Sequence, residues 1–214
     1  MIKADLHIHT AYSMDCSMTL EQVIERCQKR GVNCVAIADH STIEGAVKLQ
    51  GMAPFRVIIA EEILTPYGEI MGMFLKEGIP SGLSVEETIA QIRAQGGLVC
   101  IPHPYDTFRQ SALRDSILEK LAGQLDVVEV FNARSLLSSN QHKARLFAEK
   151  FGIAMGAGSD AHTPQEIGNA YIEMPEFEGR DDFTRALAAG KIFGRRTNPM
   201  VHFSSIWARV KKRF

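Results

Sequence analysis

The chain has 214 residues, 45% hydrophobic and 23% charged, an ordinary composition for a single soluble globular domain. Lys and Arg (24) nearly balance Asp and Glu (25), which excludes a protein that coats nucleic acid or an anionic membrane by bulk charge. No apolar run nears the roughly 20 residues of a membrane helix, and the opening MIKADLHIHT carries no signal-peptide h-region.

The first predicted strand is 2–8 (IKADLHI). A helix follows over 20–30, where Leu20, Val23, Ile24 and Cys27 fall at helical spacing. Strands are predicted at 34–38, 56–61 and 69–75. The next helix is 85–95, opened by a capping box of Ser84 and Glu87 and closed by Gly96-Gly97. Strands at 98–101, 126–131, 153–156 and 169–174 then alternate with helical patterns at 111–122, 138–151 and 181–189. Such alternation predicts an α/β fold with a parallel sheet and crossover helices. About seven units suit a small barrel better than an open sheet. No linker or repeat divides residues 1–214, so one domain is expected. Cys16, Cys27, Cys34 and Cys100 form no C-x-x-C pair and read as free, buried thiols of a cytoplasmic protein. The ending WARVKKRF reads as a solvated basic tail.

Five of the seven histidines lie in polar islands at strand ends. His7 and His9 are two apart on the first strand, so pleating puts both on one face, with Asp5. His40 follows Asp39, His103 lies between two prolines, and Asp160 and His162 repeat the two-apart spacing in GSDAH. In parallel α/β folds ligand sites gather at the carboxyl ends of strands, and imidazoles converging there with carboxylates point to first-row divalent metals. Asp15 lies in the loop after the first strand. Glu61 and Glu62 are adjacent on a strand, so only one can face the site. His142, inside a helical pattern, and His202 read as structural or solvent-exposed. Arg134, Arg109, Arg195 and Arg196 are at strand ends or in the loops beyond them, where a guanidinium fork would bind phosphate oxygens. There is no G-x-S-x-G elbow and no phosphate-binding P-loop.

D-x-H-x-H-T at 5–10, A-x-A-D-H at 36–40, E-E-I at 61–63, P-H-P at 102–104 and G-S-D-A-H at 158–162 together resemble the polymerase and histidinol phosphatase (PHP) family. FTRALAAGKIFGRRT, within 163–214, resembles the short C-terminal extension of its small stand-alone members. The resemblance implies a distorted seven-stranded β/α barrel holding two or three divalent ions (zinc, manganese or iron). By position, His7, His9, Glu62 and Asp160 would hold one ion, and Asp15, His40 and His162 a second. Glu62 would bridge to a third that also uses His103. Asp39 would orient an imidazole, and His103 or His162 would be the group to protonate a leaving oxygen if free of metal. Many members have a His where this chain has Met71, whose thioether is a poor ligand for hard ions and suits core packing. Against Asp15, Glu62 and Asp160, two divalent ions leave about one positive charge and three leave about three.

The expected reaction is hydrolysis of a phosphate monoester of a small metabolite or nucleotide by hydroxide bridging two ions, with Arg134, Arg109 and Arg195 on the phosphate. The alternatives are a short-oligonucleotide exonuclease or phosphodiesterase at the same centre, and a non-catalytic metal-binding module. Neither a membrane nor an obligate protein partner is implied.

Overall fold

The apolar stretches form the strands of one sheet. The computed structural model describes residues 1–109, 111–113 and 115–198; His202 and the basic ending lie outside the described residues. The strands are β1 (Ile2–Ile8), β2 (Cys34–His40), β3 (Arg56–Thr65), β4 (Gly68–Met73), β5 (Leu98–Ile101), β6 (Val127–Asn132), β7 (Ala154–Gly158), β8 (Ala170–Met174) and β9 (Lys191–Gly194). The helices are α1 (Leu20–Arg30), α2 (Glu44–Met52), α3 (Val85–Ala94), α4 (Asp115–Leu121), α5 (Ser138–Phe151) and α6 (Arg180–Ala188). Strand order is β7-β6-β5-β4-β3-β2-β1-β8-β9.

The sheet curls into a nearly closed barrel. The first half of β1 pairs antiparallel with β8. Its second half takes up the chain just beyond β7: Asp160 N–H donates to His7 O (2.8 Å) and His9 N–H to Ala161 O (3.0 Å). Leu6, Ala36, Ala38, Ala60, Met71 and Met73 fill the interior with Phe183 and Leu187 of α6. α1 and α2 cover one stretch of the outer face through Val23, Cys27, Ala46 and Leu49. α3, α4 and α5 cover another through Ile89, Ile92, Leu118 and Phe147. The four cysteines are buried, and none is in a disulfide among the described residues. Among the described residues no helix is long and apolar enough to cross a membrane.

Three expectations need correction. The sheet has nine strands rather than the seven of the implied barrel: all eight apolar runs form strands, and KIFG at 191–194 adds β9 beside β8. It is mixed rather than parallel: β3–β4, β4–β5, β1–β8 and β8–β9 are antiparallel. The physical reason is visible at Pro66-Tyr67, a two-residue turn between Thr65 and Gly68, far too short for a crossover. Asp5 does not share a face with His7 and His9. Between Asp5 and Ile8, β1 carries one residue more than β2, and this bulge turns both Leu6 and His7 inward. Asp5 instead accepts the backbone N–H groups of Ser159 (2.8 Å) and Gly168 (2.9 Å). α2 also went unread. Its Gly45 allows close approach to β2, since a Cβ there would run into Asp39 Oδ2.

β7 ends against His7. A Cβ on Gly158 would collide with His7 Cβ and lie 2.7 Å from His7 N and 2.9 Å from Glu129 Oε1. Gly158→Ala should therefore cost about 1–3 kcal/mol of stability through overpacking. At about 2–4 °C per kcal/mol for a chain of this size, thermal unfolding would show the loss. An unchanged Tm would mean that β7 can back away from β1 freely.

Candidate metal centre

The polar islands converge at one end of the barrel. His7 and His9 come from β1, Asp15 from the loop after it, His40 from the end of β2 and Glu62 from β3. His103 follows β5, and Asp160 and His162 follow β7. All are buried except His40, which is partly exposed. Of the adjacent pair on β3, Glu62 faces the centre. Glu61 turns away and accepts the N–H of Ile79 (2.8 Å). His103 and Asp160 hold the left-handed conformation, φ 31° and 54°, a backbone strain that concentrates at functional sites.

His7 Nε2 and His9 Nε2 are 3.1 Å apart. His7 Nε2 is 3.4 Å from Glu62 Oε1 and 3.9 Å from Asp160 Oδ1. His9 Nε2 is 3.3 Å from Glu62 Oε2 and 3.4 Å from Asp160 Oδ1. Four ligands at about 2.1 Å around a tetrahedral ion stand about 3.4 Å from one another, so the spacing suits a shared cation. Asp160 Oδ1 is buried and has no hydrogen bond. In a second cluster Asp15 Oδ2 is 3.3 Å from His162 Nε2 and 3.5 Å from His40 Nε2. His9 belongs to this cluster too, and its Nδ1 is buried without a hydrogen bond. Both proposed proton donors, His103 and His162, turn Nε2 toward carboxylates, which is a ligand posture.

Two carboxylates were missed. Glu69, at the start of β4, lies 3.6 Å from both His40 Nδ1 and His103 Nε2 and forms a cluster with His40 and Glu62. Glu129 on β6 meets His7 Nδ1 at 3.0 Å and accepts the N–H of His103 at 2.7 Å. Such outer carboxylates fix the orientation of a ligand imidazole. The VEVF pattern reads as a strand, and nothing in it marks the Glu as inward-facing.

The arginines divide. Arg109 is half-buried and donates to Asp160 Oδ2. Arg134 is buried, with Nη1 2.6 Å from His162 Nδ1 and Nε 3.4 Å from Glu166 Oε1. Arg195 is exposed, and its Nε donates to Asn169 Oδ1 (3.1 Å). Arg196 donates to Leu136 O. Asp39 takes both the N–H and the hydroxyl of Thr10 (each 2.6 Å), so it fixes the residue after His9 rather than an imidazole. His142 is exposed on α5.

Residues 5–73 match the PHP domain family, and residues 139–192 match the PHP-associated family. An uncharacterized protein of Methanocaldococcus jannaschii is 39% identical over 189 residues, covering 86% of this chain and 76% of that protein. A probable phosphatase of Caldicellulosiruptor bescii is 24% identical over 203 residues, 80% of this chain and 84% of that one. Among solved structures, a two-domain protein of Bacteroides vulgatus containing a predicted PHP-like metal-dependent phosphoesterase superposes with a TM-score of 0.73 at 16% identity. The match covers 91% of this chain and 65% of that longer chain.

Without cations, the crowded carboxylates draw protons onto His7, His9 and His40. Burial opposes a charge on His9, yet the adjacent carboxylates of Asp160 and Glu62 raise its pKa to about 10. Burial would likewise raise Asp160, but Arg109 and His7 hold it well below the usual carboxylate range. A histidine raised in the folded state stabilises the fold fully below its unfolded value of about 6.5, and loses that contribution as pH climbs through the folded value. The Tm of metal-free protein should therefore fall between pH 6.5 and about 10. Saturating Mn²⁺ should restore it, most of all at the alkaline end, because the ion replaces the protons. A metal-free Tm that is flat or rising across this range would refute the assignment.

Proposed function

This chain belongs to the PHP family, and from that premise we propose that it is a metal-dependent phosphomonoesterase acting on a small phosphorylated metabolite or nucleotide. The observation that carries the reading is the convergence of His7 Nε2 and His9 Nε2, 3.1 Å apart, each within 3.3–3.9 Å of a Glu62 oxygen and of Asp160 Oδ1, beside the Asp15, His40 and His162 cluster. The first four would hold one divalent ion and the other three a second. Bound there, divalent ions supply a nucleophile from water near neutral pH and stabilise charge on the phosphoryl oxygens.

The chain's own groups do the rest. Glu62 presents one oxygen to His7 and His103 and the other to His9 and His40, so a single carboxylate ties the clusters together. Glu129 holds His7 by Nδ1, leaving Nε2 for the centre. Asn132 Nδ2 donates to both Glu129 (2.9 Å) and Asp160 (3.2 Å), which keeps these two carboxylates in fixed relation. Arg109 is the cation placed to meet a phosphate, since its guanidinium is partly exposed and already touches Asp160. Arg134, buried between His162 and Glu166, acts on the substrate through His162. Arg195, tied to Asn169, contributes from the rim.

The test is metal content per chain together with phosphate release from a panel of phosphomonoesters and short oligonucleotides. Metal with turnover of monoesters is expected. Salt-sensitive cleavage of oligonucleotides alone would replace the reading with a nuclease, and bound metal without turnover would replace it with a binding module. Asp160→Ala should lose metal and activity together; full activity in that variant would sink the ligand set. In Arg109→Ala, KM for monoesters should rise about tenfold or more, the worth of one charge-assisted hydrogen bond of about 1.5–3 kcal/mol, with metal content retained.

A further inference from the structure

We propose that the end of the barrel opposite the metal centre carries a second binding site. It takes an organic polyphosphate with a flat apolar body, the chemistry of a nucleoside diphosphate. Arg145, Arg185 and Lys191 receive the phosphates, and Ile153, Met155, Leu187 and Ile192 receive the body. The site shares no residue with the metal centre.

The two ends of the sheet are β7 and β9. Where β7 begins, no backbone hydrogen bond joins them among the described residues, and the barrel stays open there. A cavity of about 770 Å³ occupies the gap, a size within the range of small-molecule sites. The starts of β6, β7 and β9 and the last turns of α6 bound it, so it lies at the strand ends away from His40 and Asp160. Ile153 and Leu187 are buried and Met155 and Ile192 half-buried, which gives the cavity an apolar wall. A thioether in such a wall favours an aromatic ring.

Charge supplies the other half. Arg145 of α5, Arg185 of α6 and Lys191 of β9 bring three positive charges to the cavity from three elements. Asp126 is the one carboxylate in its lining among the described residues, and it is already engaged: Arg93 meets it at 2.6 Å and Val99 N–H donates to it at 2.7 Å. Glu173 faces Lys191 across the β8–β9 ladder without an ion pair. Asp182, one turn before Arg185, accepts the N–H groups of Glu178 and Gly179. Arg145 reaches only the sulfur of Met155, at 3.6 Å. Like charges gathered from separate elements repel, and a bound polyanion turns that repulsion into attraction. Two guanidinium forks and an ammonium match phosphate oxygens. The competing role for Arg185 is to complement the carboxyl end of α6, which would need no ligand.

The probe is α,β-methylene ADP, whose P–C–P bridge resists hydrolysis, titrated calorimetrically into metal-free full-length protein. Without metal the carboxylates at the barrel mouth repel the probe, so binding reports on the cavity. One probe per chain is expected, with Tm raised by about 5–10 °C at a hundredfold excess over Kd. Arg145→Gln, Arg185→Gln and Lys191→Gln should each weaken binding about tenfold, the worth of one charge-assisted hydrogen bond. All three side chains are exposed, so the Tm of the unliganded variants should stay that of wild type. Tripolyphosphate and adenosine should each bind at least about tenfold more weakly than the probe, since each offers half of the chemistry. Absence of saturable binding would overturn the proposal, as would binding that survives all three substitutions but is lost in Arg109→Ala, which would put the probe at the mouth. Tripolyphosphate bound as tightly as the probe would overturn it too, because the apolar wall would then contribute nothing.

Discussion

Negative charge buried at the barrel mouth is the constraint on which the rest of the molecule depends. Glu62, Asp160, Glu69 and Asp15 are all buried there, with Glu129 directly behind His7. Carboxylates cannot be packed together in a low-dielectric volume without partners of opposite charge. The chain supplies Arg109 and Arg134 and a set of imidazoles that take up protons, but these are makeshift partners for a geometry spaced for divalent ions. The apolar barrel and its helical coat hold this otherwise repulsive group in place.

The hairpin of β3 and β4 gives the centre its asymmetry. A crossover would have placed the next strand parallel, with only its far end reaching the mouth. The two-residue turn instead sends β4 back from the mouth, so that its first residues lie beside the last inward residues of β3. One hairpin thereby delivers two carboxylates, Glu62 and Glu69. The bulge in β1 does something comparable within one strand, letting Leu6 serve the core and His7 the centre although they are adjacent.

Much of this was legible in the sequence. The His-x-His pair, the GSDAH island and His40 after CVAIAD could be placed because histidine at a strand's carboxyl end has little else to do. Eight of the nine strands followed from apolar runs. What escaped has physical causes. Glu69 lies at the head of a strand beside a Pro-Tyr-Gly turn, where a glutamate ordinarily faces water. Asp5 was assigned to the wrong face because period-two reasoning assumes an unbroken pleat, and a bulge leaves no composition signature. α2 is short, with glycines at 45 and 51 and only Ala46 and Leu49 as buried apolar residues. Arg134 reads as a fork for phosphate oxygens, but it is buried beside Glu166, a residue distant from it in sequence.

The seam between β1 and the segment after β7 has a consequence for how the protein is made. His7 and His9 lie on one side of it and Asp160 and His162 on the other, joined by the backbone pairing of Ile8 with Ala161. A chain emerging from the ribosome carries His7 and His9 for some 150 residues of synthesis before Asp160 and His162 exist, by simple subtraction of positions. Metal captured in that interval would be bound by a fragment of the set. The ligand set proposed above can be complete only once this seam is closed, so an ion held across it would resist reopening of the barrel and act as a clasp on the finished fold.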